Sequence, residues 1–249
     1  MMEKSDCIIA IILYRPRLEL WRRIQMAMDE GYQVYLFDNS PALTVIPADI
    51  RKARAVRCFT LGDNAGIGFA MRQMCATAYY EGYRCLLYFD QDTVFTASTL
   101  KFISSYRLEQ GQEAPVAADK SASLASVTFR DRLSASRRSM AKIAGYSLQI
   151  VDFTINSGTL FYLDKLRRIG WHDPSFFIDG VDYAYCLAAS QAGYEIAEIS
   201  EVPGLNHAAE QADCSYRFLG KSFVARRYPR YRRKDFFLSS CRLIFRALR

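Results

Sequence analysis

The 249-residue chain holds only two histidines, and its seven cysteines show no CxxC spacing. An odd count of cysteines, several inside apolar runs, argues against a disulfide framework and for reduced core thiols in a cytoplasmic protein. No secretory leader is visible. The first apolar run, Cys7 to Leu13, is seven residues long. That is the length of a strand, too short for a leader's apolar segment and far below the roughly 20 residues that cross a bilayer. Internal repeats are absent, and no break in composition marks a second domain. Acidic residues are scarce in one place. Residues 226 to 249 contain nine lysines and arginines against Asp235 alone, so this tail carries +8 of a total of +7 and leaves the body at −1. A uniformly basic nucleic-acid binder would look different, and no nucleic-acid partner is expected.

The remaining composition is that of a globular protein, 51% hydrophobic and 14% aromatic. Strand-length apolar runs alternate with helix-length segments through the first hundred residues. The pattern predicts strands over 7–13, 33–37, 57–61 and 84–89, and helices over 18–30, 66–82 and 96–110. Strands buried on both faces with helices between them imply a mostly parallel, Rossmann-like sheet with right-handed crossovers. Ligands of such sheets bind beyond the carboxyl ends of the strands. Three of those ends carry polar punctuation: Tyr14-Arg15, Asp38-Asn39 and Asp90-Gln91-Asp92. Residues 113–123 are small and polar, and 130–139 read as a mobile basic loop. A sheet pattern resumes at Asp152, followed by a helix over 181–192 that Gly193 closes.

The stretch YFDQDTVF (88–95) ends a buried run in two aspartates, and buried carboxylates are costly unless something offsets their desolvation. On an extended segment Asp90 and Asp92 share a face, with no adjacent lysine or arginine, a hard-oxygen set suited to Mg2+ or Mn2+. A plain loop or N-cap is the alternative. Asp63-Asn64-Ala65-Gly66-Ile67-Gly68 is either an ordinary helix start or a close approach of backbone N–H groups to phosphate. Asp179 stands where an N-cap would, with Asp182 at capping-box spacing, so both are caps unless Asp182 is a general base at the cleft. His207 is either a satisfied histidine or a further metal ligand.

Taken in order, these pieces resemble a known family: Tyr14-Arg15-Pro16, Phe37-Asp38-Asn39-Ser40, Asn64 to Gly68, Tyr88 to Asp92, Asn156-Ser157-Gly158-Thr159, Phe177 to Asp182, and Asn206-His207. The set is similar to inverting family 2 glycosyltransferases of the GT-A fold, and within them to bacterial rhamnosyltransferases that use dTDP-L-rhamnose. The resemblance runs over roughly residues 7 to 235. It implies a single α/β domain of GT-A fold over 1–235, while the tail's own pattern reads as a basic amphipathic C-terminal helix over 236–249. It also implies a nucleotide site at Tyr14, Asp38, Asn64, Gly66 and Arg72, and a donor sugar bordered by Ser157 and Gly158. Asp92 would be the main metal ligand, with Asp90 facing ribose or metal and His207 completing the set. Asp182 would take the acceptor proton, while Arg230, Arg232 and Arg233 would neutralise the leaving diphosphate.

Some positions depart from the family pattern. LYRP replaces the common TYNP, Arg72 stands for an asparagine, and Ala184 and Ala188 replace an acid and an arginine. The last two, at i and i+4, read as the loss of a surface ion pair. The tail places Phe237, Cys241, Ile244, Phe245 and Leu248 on one helical face and Arg242, Arg246 and Arg249 on another. Such a helix either packs on the sheet with its arginines solvated or contacts an anionic membrane, as a saccharide or lipid-linked acceptor at the inner membrane's cytoplasmic face would require. The competing function is a non-catalytic GT-A-fold protein attached to membrane or nucleic acid by its basic tail.

Overall fold

A computed structural model describes residues 6–42, 44–112, 124–132, 137–143, 146–207, 214–218, 221–225 and 227–248. The first half contains β1 (Cys7–Leu13), α1 (Glu19–Asp29), β2 (Gln33–Asp38), α2 (Ala48–Lys52), β3 (Val56–Thr60), α3 (Ile67–Tyr80), β4 (Cys85–Asp90) and α4 (Ala97–Gln112). The second contains β5 (Leu124–Phe129), β6 (Arg137–Ile143), β7 (Tyr146–Val151), β8 (Thr159–Tyr162), α5 (Leu163–Ile169), α6 (Val181–Gln191) and β9 (Glu195–Ile199). A hairpin of β10 (Cys214–Phe218) and β11 (Lys221–Ala225) and the long α7 (Arg230–Ala247) follow. The expected small, polar stretch 113–123 lies outside the described residues, as do 133–136 of the expected loop.

Nine strands form one sheet in the order β3-β2-β1-β4-β8-β5-β9-β7-β6. The expected mostly parallel sheet is corrected to a mixed one. β1 to β4 pair in parallel, as do β5 and β9, but β8 runs antiparallel to both β4 and β5, and β7 antiparallel to β9 and β6. Only two residues separate β6 from β7, a hairpin length that forces antiparallel pairing because a parallel return needs a long crossover. The basic stretch read as loop contributes an edge strand, since Arg137–Ile143 pairs with Tyr146–Val151.

The sheet is covered on both faces, which explains the unbroken apolar strands. In β1, Cys7, Ile9, Ile11 and Leu13 join the core under α1 and α4, while Ile8, Ala10 and Ile12 join the core under α3, α5 and α6. The period of two follows from strand pleating. Truncating a central side chain such as Leu87, fully buried in β4, to alanine should cost about 2–5 kcal/mol. Four of the seven cysteines are buried and none is in a disulfide.

The chain runs from β1 outward to β2 and β3, then returns to β4 on the other side of β1, which opens a crevice at the strand ends. Because β8 is antiparallel to β4, its start places Asn156-Ser157-Gly158 at that same edge. β5 ends there too, delivering Arg130 and Asp131.

Candidate active site

Asp90 is the last residue of β4, paired with Ile12, and Asp92 lies beyond it in a turn closed by Thr93 N–H donating to Asp90 O at 3.1 Å. The expected extended segment therefore ends before Asp92. Gln91 clamps the crevice: its Oε1 accepts from Tyr14 N–H at 2.8 Å and its Nε2 donates to Tyr14 O at 2.9 Å. Arg23 of α1 donates to Gln91 O at 2.6 Å and feels the Asp92 charge. Asp92 thus has a guanidinium nearby, contrary to the reading from its immediate neighbours. Neither Gln91 nor Arg23 was singled out from the sequence, although the Gln91 position inside the DQD motif was the available signal.

The Asp90 carboxylate is enclosed by protein although the residue keeps some contact with solvent. It accepts from Tyr88 O–H at 2.7 Å. Burial raises it to about 6, the Tyr88 bond opposes the rise and the Asp92 charge adds to it. The Ser157 hydroxyl accepts from Asp90 N–H at 2.9 Å and lies 2.7 Å from Thr93 Oγ1, so it braces the strand end. Gly158 adopts φ +80, and a Cβ there would come 2.5 Å from Phe129 O and 3.1 Å from His207 Nε2. Only glycine admits His207 so close.

His207 is brought to this edge by a two-bond bridge between Val94 and Asn206, both bonds at 2.8 Å. Its Nε2 lies 3.1 Å from Ser157 O and its Nδ1 3.3 Å from Asp131 Oδ1. Both ring nitrogens face acceptors, so coordinating a metal would require the ring to give up one of these contacts. His172, the other histidine, is buried between Phe161 and Tyr185, and burial lowers it to about 3. It is a neutral core group.

Asp182 sits in the first turn of α6. The expected capping box is not formed: the N-cap is Gly180 at φ +83, with no side-chain cap. The left-handed glycine turns Asp179 away, and its carboxylate lies 3.5 Å from Arg232. The Asp182 carboxylate accepts instead from Asn156 N–H at 3.2 Å. Burial first, then the Asp90 charge, pushes Asp182 up to about 7, with Arg130 opposing. Arg130 also lies 3.8 Å from the buried Glu198, a residue unremarked in the sequence because it sits in an ordinary strand.

At the end of β2, Asp38 is buried and occupied by its own loop. Its Oδ1 accepts from Ser40 N–H and Thr44 O–H, and its Oδ2 from Thr44 N–H. Asn39 holds the glycine turn through Gly66 O and Ala65 N–H, and Asn64 accepts from Gly66 N–H at 3.0 Å. Gly66 and Gly68 make room for another segment, since a Cβ on either would strike the backbone of residues 173–177. Tyr14 and Arg72 are exposed. An open cleft of about 280 Å3 beside Arg15, Trp21, Ser40 and Thr44 lies on this side, away from Asp90 and Asp182.

The C-terminal helix begins at Arg230, so the expected boundary at 235/236 falls inside it. It docks by a polar stripe. Asp235 accepts from the N–H groups of Ile178 and Asp179, Ser239 is buried beside Gly180, Arg242 donates to Ser175 O, and Arg246 pairs with Asp173. Arg242, still exposed, and Arg246 are therefore tied to the body by these contacts. Arg230 and Arg233 are exposed, while Arg232 stacks on Tyr228 and reaches Asp179. Ala184 is buried against Phe176 and Val181, so the ion pair read as lost from a surface would have lain under this helix.

Among the described residues no three histidine, cysteine, aspartate or glutamate side chains cluster as a metal cage. The two carboxylates of Asp90 and Asp92 still suit Mg2+ or Mn2+, which commonly take one or two carboxylates and fill the remaining positions with water and substrate phosphates. Burial is the first cause that raises Asp90 and Asp182, and each also feels a neighbouring carboxylate, Asp92 and Asp90 respectively.

No family model matches the chain. It is 26% identical over 203 residues to the Shigella flexneri protein named dTDP-rhamnosyl transferase RfbF, covering 80% of this chain and 68% of that one. The structure superposes on S. aureus TarS 1-349 with a TM-score of 0.55 at 11% identity, over 80% of this chain and 59% of that one. GalNAc-T7 solved with UDP, GalNAc and Mn2+ gives 0.54 at 11% identity, over 80% and 43%. The chain thus spans little more than half of the first of these solved chains and less than half of the second. These likenesses establish the GT-A fold of glycosyltransferases, with its mixed sheet flanked by helices, and a homologue named as a rhamnosyltransferase.

Proposed function

We propose that this protein is an inverting glycosyltransferase that moves a sugar, L-rhamnose from dTDP-L-rhamnose, onto a saccharide or lipid-linked acceptor in bacterial surface polysaccharide synthesis. The observation that carries the reading is the meeting of Asp90 and Asp182 at one strand edge, each raised by burial and Asp182 also by the charge of Asp90. The rhamnosyltransferase homologue favours catalysis over a binding-only role.

In this reading the nucleotide lies along the ends of β1 and β2. Asp38 keeps one lone pair of Oδ2 for the pyrimidine base, since three of about four acceptor positions are used by its loop. Tyr14, Asn64, Gly66 and Arg72 line the nucleotide, and Ser157 and Gly158 border the sugar. Asp90 and Asp92 would hold Mg2+ or Mn2+, with His207 as a further ligand if one of its ring contacts were given up. The ion would supply charge neutralisation for the leaving diphosphate. Arg230, Arg232 and Arg233 add positive charge to that side. Asp182 takes the proton of the acceptor hydroxyl as its oxygen bonds to the anomeric carbon, and the bond to the dTDP oxygen breaks on the opposite face. One displacement inverts the centre, and the proton rests on Asp182. A carboxyl at about 7 is matched to such a task near neutral pH.

The outward face of α7 supports peripheral contact with an anionic membrane at the cytoplasmic face. Phe237, Ile244, Phe245 and Leu248 are exposed, at 66%, 59%, 70% and 79%, beside exposed Arg230, Arg233 and Lys234. The helix's one acid, Asp235, faces the body. Apolar and cationic groups without acids suit anionic lipid. No helix among the described residues is long and apolar enough to cross a membrane.

A calorimetric screen of dTDP- and UDP-sugars with Mg2+, Mn2+ or EDTA tests the reading. Metal-dependent binding of dTDP-L-rhamnose is expected. Unchanged affinity in EDTA would refute the metal, and preference for a UDP-sugar would refute the donor.

A further inference from the structure

Two aromatic side chains beside Asp182 are left uncovered. Phe153 is 44% exposed and Tyr183 52%, with ring centroids 5.2 Å apart and planes tilted by 41°. The rings meet at a tilt and both keep about half of their surface open to solvent. Its place is set by the seam between α6 and the segment that leads into β8. Along that seam Asn156 N–H donates to the Asp182 carboxylate, Thr154 N–H meets Cys186 Sγ at 3.4 Å, and Phe153 meets Tyr183. Asp182 and Tyr183 are consecutive, so the Tyr183 ring and the carboxylate share the first turn of one helix.

We propose that Phe153 and Tyr183 form an acceptor subsite that stacks on the apolar face of a saccharide ring and presents one of its hydroxyls to Asp182. This rests on the transferase reading above and names the acceptor class for it. A pyranose carries C–H groups on one face and hydroxyls around its rim. The C–H face meets the negative face of an aromatic ring, while the rim hydroxyls need polar partners. The seam offers both. Asn156, whose backbone already holds Asp182, has a buried Nδ2 with no hydrogen-bond partner among protein atoms. A bare alkyl chain would use the rings and leave the carboxylate and amide unanswered.

The probes are octyl α-L-rhamnopyranoside, octyl β-D-galactopyranoside and octyl N-acetyl-β-D-glucosaminide, with dodecyl phosphate as the lipid control. Saturation-transfer NMR on the full chain with dTDP and Mg2+ should show at least one glycoside bound through the protons of one sugar face. Phe153→Ala and Tyr183→Ala together should weaken that binding roughly tenfold, and Tyr183→Phe should retain it. Calorimetric dTDP affinity of the wild type reads the transferase proposal separately. If dTDP binds but no glycoside does, or the double variant binds glycosides as the wild type does, the subsite is wrong. Transfer from the rings to dodecyl phosphate alone would also overturn it. If dTDP itself fails to bind, the parent reading fails instead, whatever the glycosides do.

Discussion

The two sides of the crevice, the proposed donor side around Asp38 and Gln91 and the proposed acceptor side around Asp182, treat their polar groups differently. On the donor side, Asp38, Asn39, Asn64 and Gln91 are engaged by their own or neighbouring loops. On the acceptor side, Asn156 Nδ2, Arg130 Nε and Glu198 Oε2 are buried without partners, and Asp182 is a carboxyl kept from water. Buried polar groups normally find partners, so those left wanting mark where something else belongs. In the proposed reading the donor side is largely pre-built, Arg23 Nε excepted, and the acceptor side would be finished by its substrate.

Removing Asp92 should strike the donor side hardest. Asp92→Ala is expected to abolish metal-dependent dTDP binding measured by calorimetry while the fold persists, because the residue is exposed and outside the strand. Retained metal dependence would move the ion to other ligands.

Next in size is the joint between the two sides. Gly66 has φ +84, and a Cβ would lie 2.6 Å from the Phe177 ring and 2.8 Å from its carbonyl. Gly66→Ala should cost about 2–4 kcal/mol in denaturant unfolding, from left-handed strain plus displacement of the 173–177 segment. A neutral result would mean that the two sides are not packed through this turn.

A smaller effect sharpens the comparison by sign. In the metal-free protein Asp182 has a folded value raised to about 7, so its favourable protonated form is present at low pH and stability is lost as pH rises through that value. Asp182→Asn should therefore raise the melting temperature by a few degrees at pH 8 in EDTA and leave it unchanged at pH 4. Equal melting temperatures at pH 8 would mean that the carboxyl is better solvated than its position indicates.

The weakest expected effect lies on α7. Phe237→Ser with Phe245→Ser should reduce sedimentation with anionic liposomes several-fold and leave neutral liposomes unaffected. Undiminished binding would assign the outward face to another partner.

The donor side was also the more legible in sequence. β1 to β4 are continuous apolar runs ended by polar residues, and their boundaries fall within one or two residues of those expected. The acceptor side was not. Arg137–Ile143 has no apolar alternation, because an edge strand has only one partner and exposed positions. The spacing of Asp179 and Asp182 suggested a capping box, but a left-handed Gly180 redirects both side chains. Helical periodicity sorted α7 into its two stripes without saying which one faces inward. The usual choice would bury the apolar stripe. Here the 173–179 segment offers Ser175 O, the Asp173 carboxylate and two backbone N–H groups, and the polar stripe answers them.

The central claim, that a pre-built donor site faces an acceptor site whose base is Asp182, is tested most directly by one variant read in two ways. Asp182→Asn preserves shape and the capacity to accept from Asn156 N–H, but its amide cannot take a proton. Calorimetric dTDP-L-rhamnose affinity should stay within about twofold of wild type, while rhamnosyl transfer falls by about 10²–10⁴. Transfer at the wild-type rate in the folded variant would contradict the account and leave Asp182 a structural group.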